Sequence, residues 1–210
     1  EEEEEGEGED SNEEGGDDAR RAKSIVTKKA NSLGSPVVFC VRILPDSPTT
    51  PPVITRTLNK HRLRNLNEGV FLKYTKQVRL ELECVENYVV YGVVSKPVIR
   101  DLLTRLGHCK VEMKEGGTGG GGKERVPITN NVVIEDEIGS ETGCICVDDI
   151  VEVLGEGGEG FKRVNNFVWP FRLNSLHSGM EVRKLGMKGN GKEIYGDKGE
   201  GMEEFLKKIM

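Results

Sequence analysis

Three short apolar runs dominate the first half of the chain: 36–44 (PVVFCVRIL), which is rich in β-branched residues, 69–75 (GVFLKYT) and 87–94 (NYVVYGVV). Each has the length and composition of a strand. The stretches between them, 53–66 (VITRTLNKHRLRNL) and 77–85 (QVRLELECV), each have room for a single helix. A proline-rich turn, DSPTTPP, precedes the first, and Thr50 followed by Pro51 suits a helix start. Within it Ile54, Leu58 and Leu66 are the predicted core residues. Strand, helix, strand, helix, strand is the order required by an antiparallel sheet with helices packed on one face. The predicted class is therefore α+β.

Downstream, Ser95 is the predicted cap of a helix, KPVIRDLLTRL, whose Val98, Ile99, Leu102, Leu103 and Leu106 form one apolar face closed by Gly107. HCKVEMK reads as a strand returning through GGTGGGG to KERVPIT. Residues 127–173 hold the only Trp (Trp169) and three of the six Phe (Phe161, Phe167, Phe171), so a core or an RNA-stacking surface is anchored there. Thr129 or Asn130 suits the cap of a short helix carrying Val132, Val133 and Ile138, with Gly139 as its stop. Asp148 and Asp149 suit the start of a second, DDIVEVL. A third, FKRVNNF, ends before Pro170. The last segment, 174–210, is broken by glycines and closes on a helix, GMEEFLKKIM, with Phe205, Leu206 and Ile209 facing inward.

The formal net charge of −6 conceals a strong asymmetry. Residues 1–18 contain twelve Asp/Glu and no Lys/Arg, so the remainder carries 30 basic against 24 acidic residues and is net +6. Residues 19–75 alone carry eleven Lys/Arg against Asp46 and Glu68. The acidic run lacks the apolar content that would offset ordering entropy, which predicts a disordered tail. A basic body points to nucleic acid or another polyanion as partner. Arg56, Lys60 and Arg64 recur every four residues and form one stripe on the predicted helix, with no acidic residue on that stripe to pair with. A solvated face is the alternative to phosphate contact. Phe167, Trp169 and Phe171 read first as core. A base-stacking role for one of them, beside Lys162, Arg163 and Arg172, is the alternative.

The order PITNN (127–131), VIEDEIG (133–139), CICVDDIVEVL (144–154) and FKRVNNFVWPFRL (161–173) resembles the large-subunit ribosomal proteins of the eukaryotic L-seven, bacterial L-thirty family. The likeness runs from about residue 36 to the C-terminus, and NNFVWPFRL is its most specific part. It implies a ferredoxin-like antiparallel sheet with helices on one face, plus a small C-terminal helical/β elaboration behind the disordered acidic tail. The organisation expected is a tail (1–18), a basic extension that runs over RNA (19–35), a ferredoxin-like core (36–94), a family-specific insertion and helical region (95–173) and a C-terminal extension (174–210). The acidic run, the polyglycine insertion at 116–122 and VIEDEIG make the sequence most like the family's ribosome-biogenesis paralogue, the L-seven-like protein. That likeness implies binding to precursor rRNA near the internal transcribed spacer, in the nucleolus, alongside ribosomal proteins and assembly factors of the precursor particle. The alternative is a mature subunit protein of the cytoplasmic ribosome bound to mature rRNA. An acidic-tailed interaction adaptor is the reading from a different class. The RNA-binding residues expected are Arg20, Arg21, Lys23, Lys28, Lys29, Arg56, Lys60, Arg62, Arg64, Lys73, Lys162, Arg163 and Arg172.

No enzymatic constellation is expected. GTGGGGK (117–123) matches the start of a phosphate-binding loop, but Glu124 stands where Ser or Thr would hold magnesium, and Val126-Pro127 argues against a following helix. Gly155, Gly157 and Gly160 spell a dinucleotide fingerprint, but DDIVEVL before them reads as helix rather than strand. His61, His108 and His177 are scattered. The five cysteines (Cys40, Cys84, Cys109, Cys144, Cys146) match no zinc spacing and read as reduced, small buried hydrophobes. No catalytic residue, cofactor, metal, small-molecule substrate or membrane contact is expected. No secretory signal is expected either, and the opening Glu1 in place of Met suggests a natural N-terminus that starts earlier. Saturating Mg-ATP or NAD is expected to leave the thermal midpoint unchanged. A genuine site at 100 times its dissociation constant would add about 2.7 kcal/mol and raise the midpoint visibly in a thermal scan.

Overall fold

The computed structural model describes residues 37–112, 123–174 and 195–210. The acidic run, the basic extension and the polyglycine insertion lie outside the described residues. The first strand, β1 (Val37–Arg42), is buried at every position. It lies at the centre of a five-stranded sheet with order β6-β2-β1-β3-β7. Its neighbours β2 (Glu68–Lys73) and β3 (Val89–Gly92) both run antiparallel to it. Phe39 pairs with Phe71 and Cys40 with Val70 on one side, and Cys40 with Tyr91 on the other. The outer strands come from far along the chain. β6 (Phe171–Arg172) is antiparallel to β2, and β7 (Gly196–Gly199) is parallel to β3. A separate ribbon pairs β4 (His108–Glu112) with β5 (Lys123–Pro127). The architecture is α+β with a mostly antiparallel sheet, consistent with the ferredoxin-like fold.

Alternation along the strands divides the sheet into two cores. Val38, Cys40, Val70, Val89 and Tyr91 meet Leu58 of α1 (Pro52–Lys60) and Leu82 of α2 (Lys76–Cys84), together with Leu63 and Val85. The two helices of the 36–94 segment thus share one face. Phe39, Val41, Phe71 and Val90 point the other way, into a larger core supplied by later helices. These are α3 (Lys96–Leu106), α4 (Asn131–Ile134), α6 (Val147–Glu156), α7 (Phe161–Phe167) and α8 (Met202–Ile209). Between α4 and α6 the backbone passes through a π-helical turn, Glu135–Gly139, and a short α5 (Ser140–Thr142).

A phenylalanine triad joins β1, β2 and β6. Phe39 and Phe71 have ring centroids 4.7 Å apart, and Phe171 meets both edge-on at 5.8 Å. Gly69 makes room for it, since a Cβ there would lie 2.4 Å from the Phe39 ring. Phe161 and Phe167 are also core residues.

Several sequence expectations change. The first helix ends at Lys60 instead of running to residue 66. Arg62 adopts a left-handed backbone (φ 62°), and the amide of Leu63 donates to the Leu58 carbonyl at 2.9 Å while that of Arg62 donates to Asn59 at 3.0 Å. This is a Schellman-type stop with arginine where glycine is usual, and buried Leu63 packs beside Leu58 as its apolar clasp. Arg64 therefore leaves the stripe, and Leu66 is exposed. Ser95 makes no side-chain cap. Its amide donates instead to Glu203 Oε1 (2.9 Å), tying α3 to α8. The helical stretch carrying Ile138 passes through Gly139 and stops at Gly143, whose φ is 72°. Asn130 is the cap of α4, accepting from the Val132 amide. Cys40, Cys109 and Cys144 are buried as expected and Cys146 is half-buried, but Cys84 is exposed because it closes α2 on its wet side. No helix among the described residues is long and apolar enough to cross a membrane.

Phe71→Ala is expected to lower unfolding stability by about 3–5 kcal/mol, because it opens the triad and leaves a cavity under β1. Leu80→Ala, at a position 63% exposed, is expected to change it by less than about 0.5 kcal/mol. Urea unfolding of the two variants checks the contrast.

Candidate nucleic-acid interface

The chain's cations divide into those used inside the fold and those left over. Arg42 is only 3% exposed. Its guanidinium donates to the carbonyls of Leu44 (3.1 Å), Leu63 (3.1 Å) and Arg64 (2.7 Å), and pairs with Asp46 at 2.8 Å. It thereby clamps the turn after α1. Arg62 is also structural. It donates to the Val168 carbonyl (3.1 Å) and to Asn165 Oδ1 (3.0 Å), and Asn165 in turn donates to the Phe71 carbonyl (3.0 Å). Burial holds the Arg62 guanidinium below its usual pKa. Lys60 pairs with Glu81 of α2, so the expected unpaired stripe is partly neutralised from the neighbouring helix. His61 sits beside the same carboxylate and is buried.

Arg163 is likewise engaged, by Glu141 at 2.8 Å and the Glu137 carbonyl at 3.1 Å. Its partners belong to an acidic tract: residues 131–160 hold nine Asp/Glu and no Lys/Arg. Asp149 of this tract accepts from the amides of Ile145 (2.8 Å) and Cys146 (2.9 Å), which lowers its pKa and starts α6. Asp148 pairs with Arg100, and Glu156 with Lys96. The tract thus consumes cations of α3 and α7. Gly157 and Gly160, with φ of 66° and 81°, end α6 and start α7, so these glycines make a helix-to-helix turn.

Among the described residues, no carboxylate or carbonyl engages the side chains of Arg56, Arg64, Lys73, Lys162 or Arg172. Arg20, Arg21, Lys23, Lys28 and Lys29 lie outside the described residues. Arg64 is displayed by a tight turn in which buried Glu68 accepts from the amides of Arg64 (3.1 Å) and Asn65 (2.9 Å) and from the Asn65 side chain (2.7 Å). Glu68 faces Arg172 across the β2–β6 pair, so Arg64 and Arg172 belong to one neighbourhood.

Trp169 adjoins this region and is the one member of the aromatic trio that is not buried. Its amide donates to the His108 carbonyl at 2.9 Å, and Val168 bridges to Cys109, which docks the chain against β4. Lys110 Nζ lies 5.5 Å from the centre of the Trp169 ring and the Arg125 guanidinium carbon 5.9 Å. Lys110 and Arg125 are register partners across the ribbon. Arg125 has its pKa lowered by burial and by the charge of Arg172, with Glu68 opposing. The Trp169 cluster is therefore continuous with Arg172 and Glu68. Lys110 and Arg125 were missed because they lie neither in the 19–75 charge window nor beside the aromatics in sequence. The signal that marks them is a cation on each arm of a ribbon beside the only tryptophan.

No family model matches the chain. A large ribosomal subunit protein uL30 from Eremothecium gossypii is 31% identical over 199 residues, covering 91% of this chain and 75% of that protein. The chain belongs to the uL30 family. A uL30 from Debaryomyces hansenii is 31% identical over 175 residues, covering 80% of this chain and 68% of the relative. A third, from Dictyostelium discoideum, is 35% identical over 148 residues, covering 70% of this chain and 55% of the relative. The chain thus spans little more than half of the Dictyostelium relative's length. These uL30 relatives are named as subunit proteins and not as enzymes, and their names do not distinguish the biogenesis paralogue.

Arg62→Ala is expected to destabilise this uL30-family fold by about 1–3 kcal/mol, because Asn165 and the Val168 carbonyl lose a charged donor. Arg56→Ala is expected to stay within about 0.5 kcal/mol of the parent. Equal unfolding midpoints for the two variants would remove the distinction between structural and free arginines.

Proposed function

We propose that this chain is an rRNA-binding structural component of the large ribosomal subunit. The observation that carries the reading is a face on which Arg64 and Arg172 have no carboxylate or carbonyl partner among the described residues and Arg125 lies over the Trp169 ring, set apart from an acidic tract that neutralises the cations nearest to it. Such a face attracts a polyanion by charge and releases its counterions on binding, so affinity falls steeply with salt. Recognition is of backbone and RNA shape, and the role requires neither catalysis nor a cofactor. Arg56, Lys73 and Lys162 extend the face, and the cations of 19–35 add to it. Neighbouring subunit proteins are the remaining partners, in the cytoplasmic ribosome and in the nucleolus during assembly. The relatives' names favour this reading over a dedicated assembly role.

A second reading is a biogenesis factor on precursor rRNA near the internal transcribed spacer. It is favoured by the twelve carboxylates of residues 1–18 and a sequence pI near 5.3. Sedimentation of the tagged chain from cell extracts separates the two. The subunit protein is expected in free large subunits, whole ribosomes and polysomes. Confinement to nucleolar precursor particles would transfer the assignment to the biogenesis factor, and absence from every ribosomal fraction would remove both.

A further inference from the structure

Among the described residues three polar or charged side chains are buried: Arg42, His61 and Glu68. Two of the three are spent on one turn, residues 63–67, between α1 and β2. Arg42 reaches the carbonyls of Leu63 and Arg64, and its own carbonyl accepts from the Asn67 amide at 2.8 Å. Glu68 holds the amides of Arg64 and Asn65 and the Asn65 side chain. From the sheet edge the Leu173 amide donates to the Asn67 carbonyl at 2.9 Å. Burying a charge is costly unless it is paired or hydrogen-bonded, and a simple reversal of the chain needs no buried charge. The backbone adds a second constraint. Among the described residues the two non-glycine positions with positive φ, Arg62 (62°) and Asn67 (58°), bracket the turn. Such conformations persist only where the surroundings over-determine them, and they cluster at binding and switch sites.

What this rigid turn displays is Arg64, Asn65 and Leu66, all exposed. The Asn65 side chain is already held by Glu68. Among the described residues no carboxylate or carbonyl engages the Arg64 side chain. Leu66 is 46% exposed and belongs to neither core. The tip therefore offers one free guanidinium and, two residues on, one free apolar side chain. A ligand that matches both carries negative charge and bare apolar surface in one small unit. An unpaired nucleotide does so, with its phosphate and the exposed face of its base. The charge around the tip favours a nucleic acid over an apolar protein groove. Between Asp46 and Glu81 the only carboxylate is Glu68, which is buried, and its register partner on the edge strand is Arg172.

We infer that the turn of residues 63–67 is a preformed tip that grips one unpaired nucleotide of rRNA, with Leu66 against the base and Arg64 on the adjoining phosphate. This rests on the rRNA-binding reading and adds to it an apolar, base-directed contact. Because the turn is already fixed, little conformational freedom is lost on binding.

Leu66→Ser and Arg64→Gln both change exposed side chains, so both variants are expected to keep the fold, which urea unfolding checks. The full-length chain and each variant are bound to large-subunit rRNA on filters over a range of salt. The bound rRNA is then probed with a reagent that alkylates unpaired bases, and the parent is expected to protect a small set of them. Leu66→Ser is expected to lower affinity about tenfold with the salt slope unchanged, since an apolar contact releases no counterion. Arg64→Gln is expected to reduce the slope by about 1. The same bases are expected to become reactive in both variants while the other protections persist. Full affinity and intact protections in both would overturn the tip and leave the RNA-binding reading standing. Weaker binding by Arg64→Gln, with Leu66→Ser like the parent, would overturn the base contact. Normal rRNA binding by Leu66→Ser together with its loss from assembled large subunits would place the tip against a protein and overturn its assignment to RNA. No binding of rRNA by the parent would overturn the tip and the reading together.

Discussion

The structure depends on the burial of β1 from both sides. All six of its residues are buried, and its alternating side chains feed two cores. The helices of the 36–94 segment cover one face only. Covering the other takes α3, α6 and α7 from the middle of the chain and α8 from its end. Chain order and spatial order therefore part company: β6 and β7, the two edges of the sheet, both come from beyond residue 170. That closure brings Arg172 beside Glu68 and docks Trp169 on the ribbon.

Charge follows from the same arrangement. The segment that covers the second core presents Ile134, Ile138, Ile150 and Leu154 inward and its nine carboxylates elsewhere. Three of them, Asp148, Glu156 and Glu141, pair with Arg100, Lys96 and Arg163, exposed pairs that each add at most about 1 kcal/mol of stability. Their larger effect is on where positive charge remains. Among the described residues Arg172 on the sheet edge and Arg64 on its turn have no carboxylate partner, and the fold acquires a basic side distinct from an acidic one.

The three central strands and the long helices were legible because each is specified locally, whereas the edge strands β6 and β7 were not read as strands. Short apolar runs gave β1, β2 and β3, and the apolar face of 96–106 gave α3. What escaped depends on contacts between distant residues. The end of α1 is fixed by Arg62 in a left-handed conformation normally left to glycine, and its hold on Val168 and Asn165 spans about a hundred residues. The pairing of Lys60 with Glu81 joins two helices that show no complementary pattern in the sequence. Of the expected contact residues, Arg64 and Arg172 lie beside the cluster, whereas Arg62 and Arg163 are occupied internally. Lys110 and Arg125 were invisible because their register is set by a ribbon whose connecting stretch carries no register signal.

The segregation of charge is tested most directly by ultraviolet crosslinking of the chain within ribosomal particles purified from cells, followed by mass spectrometry of the peptides that carry RNA adducts. Adducts are expected on peptides containing 108–112, 123–127, 168–173 and 62–64. Adducts concentrated in 131–160, with those peptides unmodified, would mean that RNA lies on the acidic side and would contradict the account.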